Sequence, residues 1–505
     1  MFARRLHLLA LSIVVLISAV PAPPAHGDET HVVAAGETLW GIAQQHDVSV
    51  DALRQANDLG DSDRILPGQR LHLPEAEGTA AVESVAPPEP APLAPPCPFP
   101  PGPTTRPERP TNNQELPSSP LSSPSSLSAF FRALQRVQDD TPGALARIAH
   151  FGDSHTASPS FPGSIRLALT ARFGDAGPGF IQPGRPWRSY DPQDIDVGAS
   201  GDWTFDRVRR TGDDNLADGL YGLGGWSART SKQDAEIWLA TESGESVSGF
   251  DVEYLAQPDG GSADVLLDGA VVARIDSDSD GIAAERHRLQ AEDAEHRLEI
   301  RAVGDGEFRL LGVETARPGP GVLYDVLATN GARADWLLSW NGDLFSDCLA
   351  RRDPDLVVLM FGTNEASDSD LDLDRFSADF ARVLELLHTS APDASCLVLA
   401  PPDMSERRHG RYAGTPEILP PLVEAERSAA TAAGCAFFDT FAAMGGSGAM
   451  DRWVAADPSL GAADHVHLTS RGYRTLGEAV AAALLDAFDA WSSGDSPAVA
   501  PPEDR

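Results

Sequence analysis

Basic residues and cysteines are both scarce in this chain. Among its 505 residues, 39 lysines and arginines face 75 aspartates and glutamates, which gives a formal net charge of -36. This charge repels phosphate backbones and anionic membrane surfaces, so nucleic acid is not an expected partner. The four cysteines form no Cys-x-x-Cys pair and no zinc-ligand spacing. We therefore expect no metal, and buried thiols or at most one disulfide bridge.

The apolar run from Leu8 to Val20 is shorter than the ~20 residues needed to span a bilayer. It follows the basic pair Arg4-Arg5 and ends in small residues at Ala25-His26-Gly27. This pattern predicts that residues 1–27 are a signal peptide and that no stable membrane span remains after its cleavage. We expect an exported protein of the periplasm or cell wall.

Residues 30–75 form a short self-contained unit in which a strand, two helices and a second strand are readable in order. The segments HVVAAGETLWGIA, DVSVDALRQAN and ILPGQRLHLP resemble a LysM domain along its whole length. The resemblance implies binding of N-acetylglucosamine-containing glycans such as peptidoglycan, through the loops flanking Gly36-Glu37-Thr38 and the second helix-strand junction. The alternative is a LysM fold without glycan affinity.

Residues 76–127 are rich in Pro, Ser, Glu and Thr and contain few large apolar side chains. Such a segment cannot offset its ordering entropy by burial, so we predict an extended linker. It would let a tethered catalytic domain sample the substrate around one anchoring point. Residues 493–505 are predicted to be a disordered tail.

Apolar strands alternate with helical patterns over residues 128–189 and 316–492. This alternation predicts an α/β fold with a doubly wound parallel sheet. The predicted strands are 146–151, 322–327, 356–361, 396–400 and 436–438, and the predicted helices are 161–173, 332–349, 371–388, 418–433 and 470–489.

Between the two halves, residues 190–315 change to short alternating segments such as FDVEYLA and HRLEIRAV, broken by Gly, Asp and Ser. Their spacing predicts an antiparallel β-sandwich inserted after the first strand of the sheet. The acidic stretch DSDSDG at 276–281 lacks the remaining ligand pattern of a calcium loop, so we interpret it as a solvated turn.

Polar clusters follow three predicted strands at the edge where open α/β sheets bind ligands. Ser154 lies in Gly-Asp-Ser after the first strand, where a nucleophile belongs. Asn364, in Gly-Thr-Asn after the third, can aim its amide at a developing oxyanion, and the backbone N–H of Gly331 after the second is a further donor. Read alone, each of these clusters is also an ordinary turn.

Asp464-His465-Val466-His467 precedes the last predicted helix. A carboxylate three residues before a histidine can bond to its Nδ1 and leave Nε2 free to deprotonate a serine, which makes His467 a base and Asp464 its orienter. The two histidines might instead suggest a metal site, but the sequence offers no further ligand-like partners.

The GDS, NGA, GTN and DxxH motifs occur in the order of the conserved blocks of SGNH (GDSL-like) hydrolases, and the chain resembles that family over residues 145–490. The resemblance implies a cofactor-free serine esterase with Ser154, Asp464 and His467 as the triad and with Ser154, Gly331 and Asn364 as the oxyanion hole. The glycine run at 222–228, GLGGWSA, is the weaker alternative for the second block.

GDSHT, the β-rich insertion and FFDTFAAMGG further resemble peptidoglycan O-acetylesterases. This resemblance implies deacetylation of peptidoglycan through an acyl-serine. Two alternatives stay open: an O-acetyltransferase or an acetylesterase acting on another envelope glycan, and a wall-binding protein without catalytic activity.

Overall fold

The computed structural model describes residues 30–33, 42, 56–57, 69–73, 120–187, 190–209, 216–368, 370–408 and 411–494. The predicted signal peptide, nearly all of the linker and residues 495–505 of the tail lie outside the described residues. No helix in these ranges has the length and apolar content needed to cross a membrane.

Near the N terminus, β1 (Thr30–Val32) and β2 (Arg70–His72) pair antiparallel, with Thr30 opposite His72. The Asn57 side chain bonds to both backbone groups of His72, at 2.6 and 2.7 Å. Ile42 and Leu71 are fully buried beside this ribbon. These few residues thus contribute their own small core at the start of the chain.

The elements that lead into the larger unit are β3 (Leu121–Ser122), α1 (Ser128–Gln138), β4 (Leu145–Gly152), α2 (Ser154–Ala157), α3 (Ser160–Phe173) and β5 (Gly179–Ile181). The strands that follow are β6 (Ile195–Ser200), β7 (Thr204–Arg207), β8 (Trp226–Thr230), β9 (Glu236–Thr241), β10 (Val247–Ala256), β11 (Ser262–Leu267), β12 (Ala270–Asp276), β13 (Ala283–Ala294), β14 (Arg297–Ala302) and β15 (Phe308–Ala316). The chain then continues through β16 (Gly321–Ala328), α4 (Gly342–Arg352), β17 (Leu356–Met360), α5 (Thr363–Ala366), α6 (Leu373–Ser390), β18 (Ser395–Leu399), β19 (Arg407–Arg408), β20 (Arg411–Tyr412), α7 (Leu419–Ala432), β21 (Ala436–Phe438), α8 (Thr440–Met444), α9 (Ala449–Val454) and α10 (Ser470–Ser492).

A six-stranded sheet in the order β16-β4-β17-β18-β21-β3 forms the centre of this unit. Its first five strands are parallel, and β3 joins the edge antiparallel. Helices cover both faces, because the strands are apolar on both sides and β17, for example, is buried at every residue. One core packs α4, α6 and α7 on the sheet, and the other packs α1, α3 and α10. The predicted doubly wound sheet is confirmed.

The residues between β5 and β16 form two antiparallel sheets, β13-β10-β15-β8-β7 and β12-β11-β14-β9-β6. Alternate side chains of both sheets enclose a third core that includes Ile237, Val252, Val265, Ile300 and Phe308. The inserted antiparallel sandwich is therefore present. The short strand β5 also pairs with β15, so this sheet begins before residue 190.

Two predicted elements differ from the structure. The helix expected over 332–349 is a 3₁₀ turn at Ala334–Ser339 followed by α4. The extended backbone of Trp340 ends the first segment, and Asn341 caps the second by accepting a hydrogen bond from the Leu344 N–H. The linker was expected to run to residue 127, yet β3 lies on the sheet and Leu121 and Leu127 are buried. Two leucines in a Ser/Pro-rich segment supply enough apolar surface for docking.

The sequence favoured buried thiols and allowed one disulfide bridge, and the described residues contain one bridge. Cys396 of β18 and Cys435, just before β21, form a disulfide bridge across two neighbouring parallel strands. Cys348 on α4 is a buried free thiol. Sequence spacing could not select this pair, because the register of β18 against β21 brings the two residues together.

Candidate active site

Ser154 lies just past the carboxyl end of β4, with β16 and β17 on either side. Gly152 makes the sharp turn possible, since a Cβ atom there would come within 2.0 Å of Thr156 Oγ1 and 2.9 Å of the Met360 carbonyl oxygen. Asp153 caps α2 by accepting the His155 N–H at 2.9 Å. The turn therefore presents Ser154 at the ligand-binding edge of the sheet while keeping it 7 % exposed.

His467 and Asp464 approach Ser154 from the loop before α10. His467 Nε2 lies 2.9 Å from Ser154 Oγ, and His467 Nδ1 lies 2.7 Å from Asp464 Oδ2. Asp464 Oδ1 also accepts the backbone N–H groups of Val466 and His467 at 3.0 and 2.9 Å. The structure thus brings the three predicted triad residues into one hydrogen-bonded row.

Two other histidines lie near this row, and each has a separate partner. His465 Nδ1 bonds to Asp451 Oδ1 at 2.7 Å, and its ring stacks on Tyr412. His155 Nδ1 lies 3.0 Å from the Tyr473 hydroxyl, and its ring centroid is 5.3 Å from that of His467. These contacts leave His467 as the histidine that bonds to the serine.

The three predicted oxyanion donors come from different strand ends. Gly331 has a φ of +73°, a left-handed conformation that favours glycine, although a Cβ there would meet nothing within 4 Å. Among the described residues, neither its N–H nor that of Ser154 has a hydrogen-bond acceptor. Asn364 Nδ2 donates to the Ala332 carbonyl at 2.9 Å and lies 3.4 Å from Asp153 Oδ2. The Asn364 amide thus makes one normal hydrogen bond, to Ala332, and one long hydrogen bond, to Asp153.

The glycine-rich segment 222–228, the weaker candidate for the second conserved block, lies directly behind the loop that contains Gly331. The Thr329 hydroxyl donates to the Gly224 carbonyl at 2.8 Å, and a Cβ on Gly225 would come 2.8 Å from the same hydroxyl oxygen. The run therefore packs against Thr329-Asn330-Gly331. Its glycines allow this close approach of two backbones.

The pKa values of the two carboxyl groups of the site, Asp464 and Asp153, are shifted in opposite directions. Burial opposes ionisation of Asp464, but the hydrogen bond and charge of His467 and two backbone N–H groups outweigh it, so its pKa falls below the usual range. Burial raises the pKa of Asp153 to about 8. Burial, aided by the nearby His467, lowers the pKa of His155 well below its ordinary value. The site accordingly combines one anchored carboxylate, Asp464, with a carboxyl group and a histidine whose burial favours their neutral forms.

A cavity of about 40 Å³ opens beside α2, lined among others by Ala157, Gln182, Trp187, Tyr190 and Ala328. The Trp187 and Tyr190 rings meet edge to face at 4.8 Å. Trp187 and Tyr190 are not among the site residues predicted from the sequence. Their signal was the proline-rich stretch PGRPWRSYDPQ, which combines aromatic side chains with turn residues just before β6.

Comparison with known proteins agrees with this architecture. Residues 302–475 match the GDSL-like Lipase/Acylhydrolase family, and residues 31–74 match the LysM domain. The first match contains Gly331, Asn364, Asp464 and His467, whereas Ser154 precedes it because the sandwich separates the two parts of the site. The chain thus carries a GDSL-like hydrolase domain behind an N-terminal LysM domain.

Individual proteins are also similar to this chain. A solved structure described as "Peptidoglycan O-acetylesterase in action, 5 min" is 23 % identical, covers 74 % of this chain and 99 % of its own, and has a TM-score of 0.61, which shows the shared fold. "Probable endopeptidase p60" of Listeria welshimeri is 44 % identical over 72 residues, and that of Listeria monocytogenes is 46 % identical over 59. The chain spans only 14 % and 12 % of the length of these two relatives.

Proposed function

We propose that this protein is an exported serine esterase that removes O-acetyl groups from peptidoglycan. The observation that carries the proposal is the hydrogen-bonded row Ser154-His467-Asp464 at the carboxyl edge of the sheet. The described residues contain no group of three or more metal-ligating side chains close enough together to hold a metal ion.

In the first step, His467 Nε2 takes the proton of Ser154 as Oγ attacks the acetyl carbonyl carbon. Asp464 fixes the histidine tautomer through Nδ1 and stabilises the imidazolium that forms. The backbone N–H groups of Ser154 and Gly331 and the Asn364 amide donate to the oxyanion. The imidazolium then protonates the departing sugar oxygen, which leaves an acetyl-serine and a free glycan hydroxyl.

In the second step, His467 deprotonates a water molecule that attacks the acetyl-serine. The second tetrahedral intermediate uses the same donors and collapses to acetate as the His467 imidazolium returns its proton to Ser154 Oγ. If a sugar hydroxyl replaced this water, the acetyl group would move to a new glycan. Hydrolysis and transfer thus share the first step and differ only in the acceptor.

The substrate assignment combines three features of the chain. Residues 1–27 have the pattern of an export signal, residues 31–74 match the LysM domain, a glycan-binding type of domain, and the catalytic fold resembles that of a peptidoglycan O-acetylesterase. The LysM domain would hold the enzyme on wall glycan, and the segment from about 76 to 119 would act as the spacer. Tethering raises the local concentration of acetylated glycan around the site.

Trapping the intermediate tests the proposed chemistry. The protein is mixed with a small acetyl ester, quenched in acid and digested, and the peptide containing Ser154 is examined by mass spectrometry. An acetyl group on Ser154 supports the acyl-enzyme, and its absence under turnover conditions overturns it. Adding a glycan acceptor distinguishes the two reactions: acetylated acceptor indicates transfer, and acetate alone indicates hydrolysis.

A further inference from the structure

Three carboxyl groups are buried together behind the oxyanion loop, which we define as Gly362–Asn364. They belong to Asp153 before α2, Glu365 on α5 and Glu426 on α7, and they are 1 %, 4 % and 0 % exposed. None of them takes part in the acyl-transfer steps described above. A buried acidic group usually has a cation or several hydrogen-bond donors around it, so this cluster requires an explanation.

Two of the three carboxyl groups hold the loop through direct contacts. Glu365 accepts the Ala334 N–H at 2.8 Å and the Gly362 N–H at 3.1 Å. Asp153 Oδ2 lies 3.4 Å from Asn364 Nδ2. The orientation of the Asn364 amide therefore depends on the protonation state of the carboxyl groups behind the loop.

Glu426 differs from the other two. Neither of its carboxyl oxygens has a hydrogen-bond partner among the described residues. A Cβ added to Gly362 would come 2.8 Å from Glu426 Oε1, so the carboxyl group lies against the first residue of the loop. No ion pair or donor therefore offsets a negative charge at this position within the described part of the chain.

The charged groups that face the cluster are few. Glu365 and Asp153 act directly on Glu426, while Arg333 and Asp335 act on Glu365. Arg333 is itself paired with Asp368 at 2.5 Å. The other elements packed against α7 are α6, β18 and β21, and they contribute apolar side chains to the shared core.

Burial raises the pKa of Glu426 well above its ordinary value, and the neighbouring Glu365 and Asp153 raise it further. The pKa of Glu365 is also raised, chiefly by burial. These directions agree with the geometry, because a carboxyl group without donors is more stable when it is neutral.

We propose that Glu426 is a positioning residue for Asn364: the neutral acid supports the oxyanion loop at Gly362, and its ionisation displaces the loop and weakens oxyanion binding. The displacement follows from repulsion by Glu365 and Asp153, which share the same dry space. This inference rests on the proposed function, in which Asn364 donates to the oxyanion. It predicts an alkaline limit on kcat that comes from Glu426 and leaves KM nearly unchanged.

Glu426→Gln tests this inference, because the amide has the same shape and stays neutral at every pH. The matched control is Glu424→Gln on the same helix, whose side chain is 68 % exposed. Hydrolysis of a small acetyl ester is measured from pH 6 to 10 for the full-length proteins, with Ser154→Ala subtracted as the blank. We expect Glu426→Gln to keep at least half of its maximal kcat at the pH where the wild type has lost nine tenths. Glu424→Gln should superimpose on the wild type.

The pH dependence of unfolding provides a readout independent of esterase activity. A carboxyl group with a raised native pKa binds its proton more tightly when folded, so stability is full below the unfolded pKa of about 4.3 and falls as pH rises through the native pKa. Glu426→Gln should flatten this decline. Glu426→Met, which is apolar and of similar length, should do the same if the glutamine variant folds poorly.

The possible failures have different signatures. Wild-type and Glu426→Gln kcat profiles that superimpose, in an enzyme with Ser154-dependent activity, would overturn the positioning role alone. An unchanged slope of stability against pH in both Glu426 variants would overturn it as well. Absence of Ser154-dependent turnover in the wild type at every pH would overturn the proposed function, and this inference with it.

Discussion

His467 Nε2 lies 2.9 Å from Ser154 Oγ although 313 residues separate them along the chain. The serine follows strand β4, and the histidine precedes the last helix α10. Both positions lie at the carboxyl edge of one sheet, so the complete β-sandwich can be inserted between them without disturbing their contact. The distance between these two atoms is the structural basis of the proposed chemistry.

Asp464→Asn should lower kcat by about 10³–10⁴, because an amide cannot hold the histidine tautomer or stabilise the imidazolium. The control is Asp451→Asn, which changes the neighbouring pair formed with His465. This variant should retain kcat within about threefold, since His465 does not contact Ser154. Steady-state hydrolysis of a small acetyl ester measures both, and equal losses in the two variants would contradict the assignment of His467 as the base.

Asn364→Ala should lower kcat by about 10²–10³ with little change in KM, because the amide binds the oxyanion more strongly than the ground-state carbonyl. Thermal unfolding of the same sample serves as the control, since the side chain also donates to the Ala332 carbonyl. A folded variant with wild-type kcat would exclude Asn364 from the oxyanion hole.

Arg352→Met should destabilise the fold by about 3–5 kcal/mol, because it leaves buried carboxyl groups without their cation. Arg352 is 2 % exposed and pairs with Glu314 of the sandwich and Asp325 of the parallel sheet, so the loss should weaken the junction between the two. Arg382→Met removes an exposed pair with Asp379 and should cost at most about 1 kcal/mol. Urea unfolding that gives similar losses for both variants would argue against this junction.

Reducing the Cys396–Cys435 bridge should lower the free energy of unfolding by about 2–4 kcal/mol, given the 39-residue separation that it closes. The double variant Cys396→Ala, Cys435→Ala should show a similar loss and no further response to reductant. Thermal unfolding with and without reductant measures the effect. A wild-type Tm that reductant leaves unchanged would contradict a stabilising bridge.

The sequence predicted that Ser154 and Asn364 would lie at the same edge of the sheet because each is in a short motif at the end of a buried apolar strand. Ser154 and Asn364 follow β4 and β17 directly, so strand order alone places them at one edge. Asp464 and His467 are close in sequence, and their contact depends on one loop. The catalytic roles of these residues stay predictions until they are tested by substitution.

Features that depend on contacts between distant parts of the chain could not be predicted from the sequence. Glu426 has nothing in its own segment that distinguishes it from the exposed Glu424, and only the packing of α7 behind Gly362 reveals its environment. The pairing of β3 with β21 and the choice of Cys435 as partner of Cys396 depend likewise on strand order and register. In each case the deciding contact joins elements that are distant along the chain.

Acetate release from O-acetylated peptidoglycan tests the central claim most directly. The wild-type protein is compared with Ser154→Ala on the same wall preparation, and chemically de-O-acetylated wall gives the blank. We expect acetate release by the wild type that disappears both in the variant and on the blank. Cleavage of small acetyl esters through Ser154 with no release from the wall would contradict peptidoglycan as the substrate, and release that persists in Ser154→Ala would contradict the serine mechanism.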